Sequence, residues 1–207
     1  MAYSDFTLYD LRQQFGAHFR AEMLFPNVAP IQPSDWLQQA LKMGEGIGFN
    51  SEKSRSERLV TPVLLELCER NNRSFSIYSG MNLDVDPARG LRGECDFIFS
   101  YSRIQDFVTA PIFCIAEAKK QDLELGTLQC AAQLIAARRL NEFEGNPTQP
   151  LYGCSTTGVE WRFLKYEGTE FVLDENRYYL AQLPALLGAL QAIVDATKAK
   201  DIPSLSR

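Results

Sequence analysis

The sequence predicts an α/β domain with a mixed central sheet flanked by helices, on three observations. Two short apolar runs, Phe97-Ile98-Phe99 and Ile112-Phe113-Cys114-Ile115-Ala116, are rich in β-branched and aromatic residues and bounded by breakers, which favours strands. An alanine-rich segment over 123–143 follows the second run and carries a helical stripe of Leu128, Ala132, Ile135 and Ala136. Further helical patterns before and after this unit alternate with strand patterns.

Taken in order, 3–19 is predicted as a helix with Phe6, Tyr9 and Phe15 inward, and Pro26, Pro30 and Pro33 break the next stretch into a loop. Ser34 is suited to cap a helix over 35–43, with Trp36, Leu37, Ala40 and Leu41 as its apolar residues. Gly44, Gly46 and Gly48 in GEGIGFN superficially suggest a phosphate loop, but no Lys-Ser follows and no strand precedes, so a mobile connection is expected. Leu59, Val60, Val63, Leu64 and Leu67 predict a helix over 57–70 that tolerates Pro62 near its first turn and ends at Asn71-Asn72.

A strand over 75–85, kinked at Gly80, and a turn over 86–90 lead into a hairpin of the two apolar runs, with its own turn near 104–109. After the 123–143 helix come a strand entering a turn over 150–158, a hairpin of 159–166 and 169–173 joined at Glu167-Gly168, a closing helix over 178–198 entered around Leu183-Pro184, and a frayed tail over 201–207. Residues 1–50 are expected to be an N-terminal helical extension packed on the core and 51–207 the α/β domain, in one globular unit.

Composition narrows the function classes. The formal net charge of −5 over 207 residues excludes a strongly basic nucleic-acid binder but not a local basic patch. The five cysteines form no C-x-x-C pair and are odd in number, so neither a zinc ribbon nor a disulfide framework is expected, and a cytoplasmic setting fits. His18 is the only histidine, expected on a partly exposed helix, which disfavours His-based acid–base catalysis and multi-His metal sites. No apolar run approaches about 20 residues and no signal peptide is evident, so no membrane is expected.

The chemistry gathers at the hairpin. Alternation along a strand puts Glu117 and Lys119 on one face, and antiparallel pairing sets Asp96 opposite Glu117, with Cβ atoms within about 5 Å. Two carboxylates that close repel unless a cation or a proton lies between them; Lys119 is one such cation and a divalent metal another. A plain alternative stands beside each residue: a strand ion pair for Glu117 and Lys119, a turn cap for Asp96, a dipole-favoured helix acid for Glu57, and ordinary polar side chains on the surface of a helix for Gln129 and Gln133.

The order helix, strand, strand, strand with E-x-K, helix with Gln, strand, together with Asp96 in GECDFIF and the pair in IAEAKK, resembles the PD-(D/E)XK nuclease superfamily. It is nearest to the N-terminal nuclease domains of type I restriction subunits and similar small bacterial proteins. The resemblance spans about 54–157, and Cys95 stands where a proline often precedes the aspartate. It implies a restriction-endonuclease-like α/β/α sandwich with an added N-terminal helical segment and a C-terminal hairpin plus helix. It also implies Mg²⁺, replaceable by Mn²⁺, held by Asp96, Glu117 and the backbone carbonyl of Ala118. Lys119 would hold the attacking water, Glu57 in SERLVTPVLLEL would bind a second ion or orient a water, and Gln129 in LGTLQCAAQ would be a positioning residue. Lys53, Arg55, Lys120, Arg138 and Arg139 are the expected phosphate contacts on DNA. The function implied is metal-dependent phosphodiester hydrolysis; the alternative is an inactive module on the same fold that binds nucleic acid or protein. A homodimer is left open.

Overall fold

The computed structural model describes residues 1–146 and 150–198, so the predicted tail over 201–207 lies outside the described residues. The chain runs α1 (Leu8–Phe15), β1 (His18–Glu22), α2 (Asp35–Ile47), α3 (Glu52–Arg55), α4 (Thr61–Arg70), β2 (Ser76–Asn82), β3 (Glu94–Ser100), β4 (Ile112–Ala118), α5 (Leu123–Phe143), β5 (Leu151–Thr156), β6 (Glu160–Glu167), β7 (Glu170–Asp174), β8 (Tyr178–Tyr179) and α6 (Leu183–Thr197). Three 3₁₀ turns and a π-helical turn at Ser56–Val60 complete it, the last joining α3 to α4.

The strands form one mixed sheet in the order β1-β7-β6-β5-β4-β3-β2, with β8 on β6. Pairing is antiparallel except for β4 with β5 and β1 with β7. The parallel β4–β5 pair needs a crossover, and α5 supplies it. One face of the sheet buries Phe97, Phe113 and Phe163 under α2, α4 and α6; the other buries Ile98, Ile115 and Leu164 under α5 and the N-terminal turn around Tyr3. Leu180–Thr197 is long and apolar enough to cross a membrane by length and composition, but its Leu186, Leu190 and Val194 pack into the first of these cores.

Small side chains bring α5 down on the sheet. Ala131, Ala132, Ala136 and Ala137 are fully buried. At Gly153 of β5 an added Cβ would lie 2.6 Å from Cys130 Sγ and 2.9 Å from Leu134 Cδ1, so only glycine lets the helix and strand approach this closely.

The predicted helix over 3–19 is instead a 3₁₀ turn, α1 and β1. Thr7 caps α1, accepting from the Asp10 N–H at 3.2 Å, and Gly16 closes it at φ +64°, freeing His18–Glu22 to pair with β7. Residues 1–50 therefore contribute a strand as well as helices, Tyr9 is exposed, and His18 is an exposed strand residue. Gly44 and Gly46 lie within α2 and not in a mobile connection. Gly44 is the crossing point with the π-helical turn, where an added Cβ would sit 2.8 Å from the Arg58 carbonyl oxygen. Gly80 sits at φ +64° and is skipped in the β2–β3 ladder, as the predicted kink requires. The closing helix begins at Leu183, at the entry predicted around Leu183-Pro184, and the preceding Tyr178 and Tyr179 pair with β6. All five cysteines are free thiols.

Candidate active site

β4 is buried along its whole length, and its last charged residue, Glu117, is 2 % exposed. An isolated carboxylate there would be costly to desolvate, so it needs donors. The chain provides three. Lys119 Nζ lies 2.8 Å from Glu117 Oε1, Gln129 also donates to Oε1, and Gln133 Nε2 donates to Oε2 at 2.9 Å. Gln129 and Gln133 are one turn apart on α5, so a single helix face holds both carboxylate oxygens. Gly126, one turn earlier, lets the helix start this close: an added Cβ would lie 2.8 Å from Lys119 Cγ and against Ser155 Oγ.

Asp96 comes from the neighbouring strand. Phe97 pairs with Ala116, and one residue further that register sets Asp96 opposite Glu117. Asp96 Oδ2 accepts the Ala118 N–H at 2.7 Å. Lys119 continues past β4, its N–H bonded to the Thr156 carbonyl at 2.7 Å, and its ammonium also lies 3.8 Å from Glu52 Oε1.

The cluster is short of positive charge. Burial, and then Asp96, push the Glu117 carboxyl up to about 7, against the pull of Lys119 and Gln133. Burial also raises Asp96, opposed by its bond to Ala118 and by Lys119 and reinforced by Glu52 and Glu94. Burial works against the Lys119 ammonium, but Glu117, Glu52 and Asp96 outweigh it and raise its pKa. Lys119 is thus a protonated donor at neutral pH, facing more negative charge than it can neutralise.

The same end of the sheet carries a cross-strand row. Glu117 pairs with Ser155 of β5, and Ser155 pairs with Arg162 of β6, so Glu117, Ser155 and Arg162 occupy successive strands on the face under α5, with Asp96 of β3 beside Glu117 at the start of the row. Three buried side-chain polar atoms among the described residues find no partner: Gln133 Oε1, Arg162 Nε and Arg55 Nε. Gln133 touches Glu117, Arg162 ends the row, and Arg55 donates to the Thr157 carbonyl at 3.0 Å just past β5. Unsatisfied buried groups are few in folded proteins, and these three flank one site.

The structure brings together Asp96, Glu117, Lys119 and Gln129, with Ala118 buried between Glu117 and Lys119 in sequence, its N–H bonded to Asp96, and Lys120 exposed beside them. It does not bring Glu57. That residue lies on the π-helical turn, mostly exposed and 4.0 Å from Lys53, because the helix begins five residues earlier than predicted and presents Glu52 to the site instead. Glu66, the other inner acid of this rod, is occupied in bonding Ser34 and Arg70. Arg138 and Arg139 are not at the site either. Arg139 lies ten positions past Gln129, about 15 Å along the helix, and is paired with Asp86 and laid over Phe15. Arg138 is bound by Glu142, the Gly168 carbonyl and the Tyr166 ring. Arg55 is close, laid over Phe49, whereas Lys53 is exposed.

Sequence reading missed Glu52, Ser155 and Arg162. Strand pairing was the signal that could have found the last two, since residues opposite Glu117 on successive strands share its face. Among the described residues no group of three or more His, Cys, Asp or Glu side chains is placed to hold a metal ion; the facing carboxylates are a pair. No family model, curated protein or solved structure matches this chain.

Proposed function

We propose that the protein is a Mg²⁺-dependent nuclease that hydrolyses phosphodiester bonds in DNA, on a restriction-endonuclease-like version of the α/β/α layering. One observation carries the reading: two carboxylates, Asp96 and Glu117, lie side by side at the buried end of central strands with, among the described residues, only Lys119 to offset them, and burial and then Asp96 push the Glu117 carboxyl up to about 7. Such a pair is unfavourable alone and suited to a divalent cation, and Mg²⁺ is commonly held by one or two carboxylates plus waters.

The donor set fits a hard ion: carboxylate oxygens from Asp96 and Glu117, with the Ala118 carbonyl as the third candidate. Bound there, Mg²⁺ would lower the pKa of a water and stabilise charge on a phosphoryl oxygen. The chain's own groups have separate tasks. Gln129 and Gln133 hold the Glu117 carboxylate in one orientation. Lys119, protonated and fixed by Glu117, donates to the attacking water and to the phosphate as charge builds on it; it is not the base. Arg55 and Lys120, beside the cluster, are the cations nearest to an approaching backbone. Free thiols throughout fit a cytoplasmic setting.

A second reading, an inactive binding module, is favoured by one feature: every oxygen of Glu117 already has a side-chain donor. Nicking of supercoiled plasmid in Mg²⁺ separates the two. Activity that is lost in Asp96→Asn and Lys119→Ala supports the nuclease. Wild-type protein that neither nicks nor gains thermal stability from Mn²⁺ supports the module.

A further inference from the structure

We infer that Arg162 binds a backbone phosphate of the nucleic acid, at the far end of the cross-strand row that begins with Asp96 and Glu117. The inference rests on the nuclease reading and names the group that receives the polymer on the β6 side.

Arg162 sits two strands from Glu117, about 10 Å at ordinary strand spacing, and on the same face. The charges that act on its guanidinium are Arg177, Glu124 and Glu160, so its head lies on the β6 side of the carboxylates, toward the first turn of α5. Its Nε is buried without a partner, and the side chain forms no ion pair or side-chain hydrogen bond among the described residues. Arginine cannot escape burial by losing its proton, so a half-buried and unpaired guanidinium is a standing cost.

The neighbouring charges do not remove that cost. Burial and then Arg177 act against the Arg162 charge, and Glu124 and Glu160 only partly favour it. Glu160 is already closed on Arg177 at 2.6 Å, and Glu124 lies in the first turn of α5. The missing partner is an acceptor with two oxygens in a plane, and a phosphodiester has that form. Of the cations predicted for this role, Arg138 and Arg139 are both paired, and Arg55, which shares the orphaned Nε, already donates to the Thr157 carbonyl.

The test is fluorescence anisotropy with a fluorescein-labelled DNA duplex and the corresponding single strand, in Ca²⁺, over a range of NaCl concentrations. Arg162→Gln is expected to weaken binding several-fold and to reduce the slope of log K against log[salt] by about 0.9 on duplex or about 0.7 on single strand, the loss of one phosphate contact. Arg162→Lys should keep the slope, and Arg73→Gln, an exposed change at the far end of the sheet, should match wild type. An unchanged slope in Arg162→Gln overturns the inference and leaves the nuclease reading standing. A sharp fall in its melting temperature also overturns it, because Arg162 would then be serving the fold. Wild-type protein that binds neither probe overturns both.

Discussion

Gln133 donates to Glu117 Oε2 at 2.9 Å while its own Oε1 is buried without a partner. The amide therefore serves one bond to the carboxylate and leaves its second polar atom unsatisfied. Turning the amide over would set two oxygens against each other, so the orientation is dictated by Glu117.

Replacing this side chain tests that dependence. Gln133→Leu removes the only side-chain donor to Oε2 among the described residues and the orphaned oxygen together, so its net effect on stability is expected to be within about 2 kcal/mol. The larger effect is on Glu117, whose charged form loses a hydrogen bond and whose pKa must rise further. Mn²⁺ titrations by calorimetry between pH 6 and 9 should show the variant binding at higher pH than wild type. Coincident pH profiles would remove Gln133 from the site.

Glu117 also sets a pH dependence of folding. Its carboxyl ionises near 7 in the folded protein and near the ordinary glutamate value, about 4.3, in the unfolded chain. Between these values the folded state retains a proton that the unfolded chain has released, so stability falls as pH rises through this window, by up to about 3 kcal/mol. Thermal melts in EDTA at pH 5 and 8 should show that fall in wild type and a smaller one in Glu117→Gln. Mn²⁺ should restore stability at pH 8 in wild type alone. Equal pH sensitivity in the two proteins would place the titration elsewhere.

Two helix glycines give opposite expectations for one substitution. Gly46→Ala in α2 meets nothing within 4 Å and has ordinary helical backbone, so it should stabilise by up to about 1 kcal/mol. Gly126→Ala in α5 drives a methyl against Ser155 and to within 2.8 Å of Lys119 Cγ, and should cost about 1–3 kcal/mol. Because the clash falls on Lys119, Gly126→Ala should also reduce any Mg²⁺-dependent nicking. Chemical denaturation of the pair reads the stabilities directly, and a stabilised Gly126→Ala would contradict the close approach of α5.

Much of this was legible because the signals were local. The unbroken apolar run Ile112 to Ala116 marks a strand covered on both faces, and α5 lies over 123–143 as its stripe of Leu128, Ala132, Ile135 and Ala136 predicts. The nearness of Asp96 to Glu117 followed from pairing two runs that are consecutive strands in the chain, although the connection over 101–111 is longer than the predicted turn near 104–109. What was not legible depended on distant partners. β1 is polar and exposed along most of its length, and its strand state is fixed by β7, more than a hundred residues away. Arg162 meets the site only through three successive ladders. Glu57 was preferred because a helix was expected to start there, and the π-helical turn, which has no strong sequence signature, changes which acid points inward.

That change of acid is itself testable. Glu52 stands 3.8 Å from the Lys119 ammonium and raises Asp96, whereas Glu57 is exposed and 4.0 Å from Lys53. Glu52→Gln removes negative charge from the cluster and should lower Mn²⁺ affinity several-fold, since effective interactions over a few ångströms in a partly buried site are on the order of 1 kcal/mol. Glu57→Gln should leave affinity within about twofold and stability within about 0.5 kcal/mol, as expected of an exposed residue in a weak helical pair. Calorimetric titration of both variants at pH 8 decides between them. A larger loss in Glu57→Gln than in Glu52→Gln would mean that the helix turns on metal binding to present Glu57, and that Glu52 only steadies Lys119 in the metal-free state.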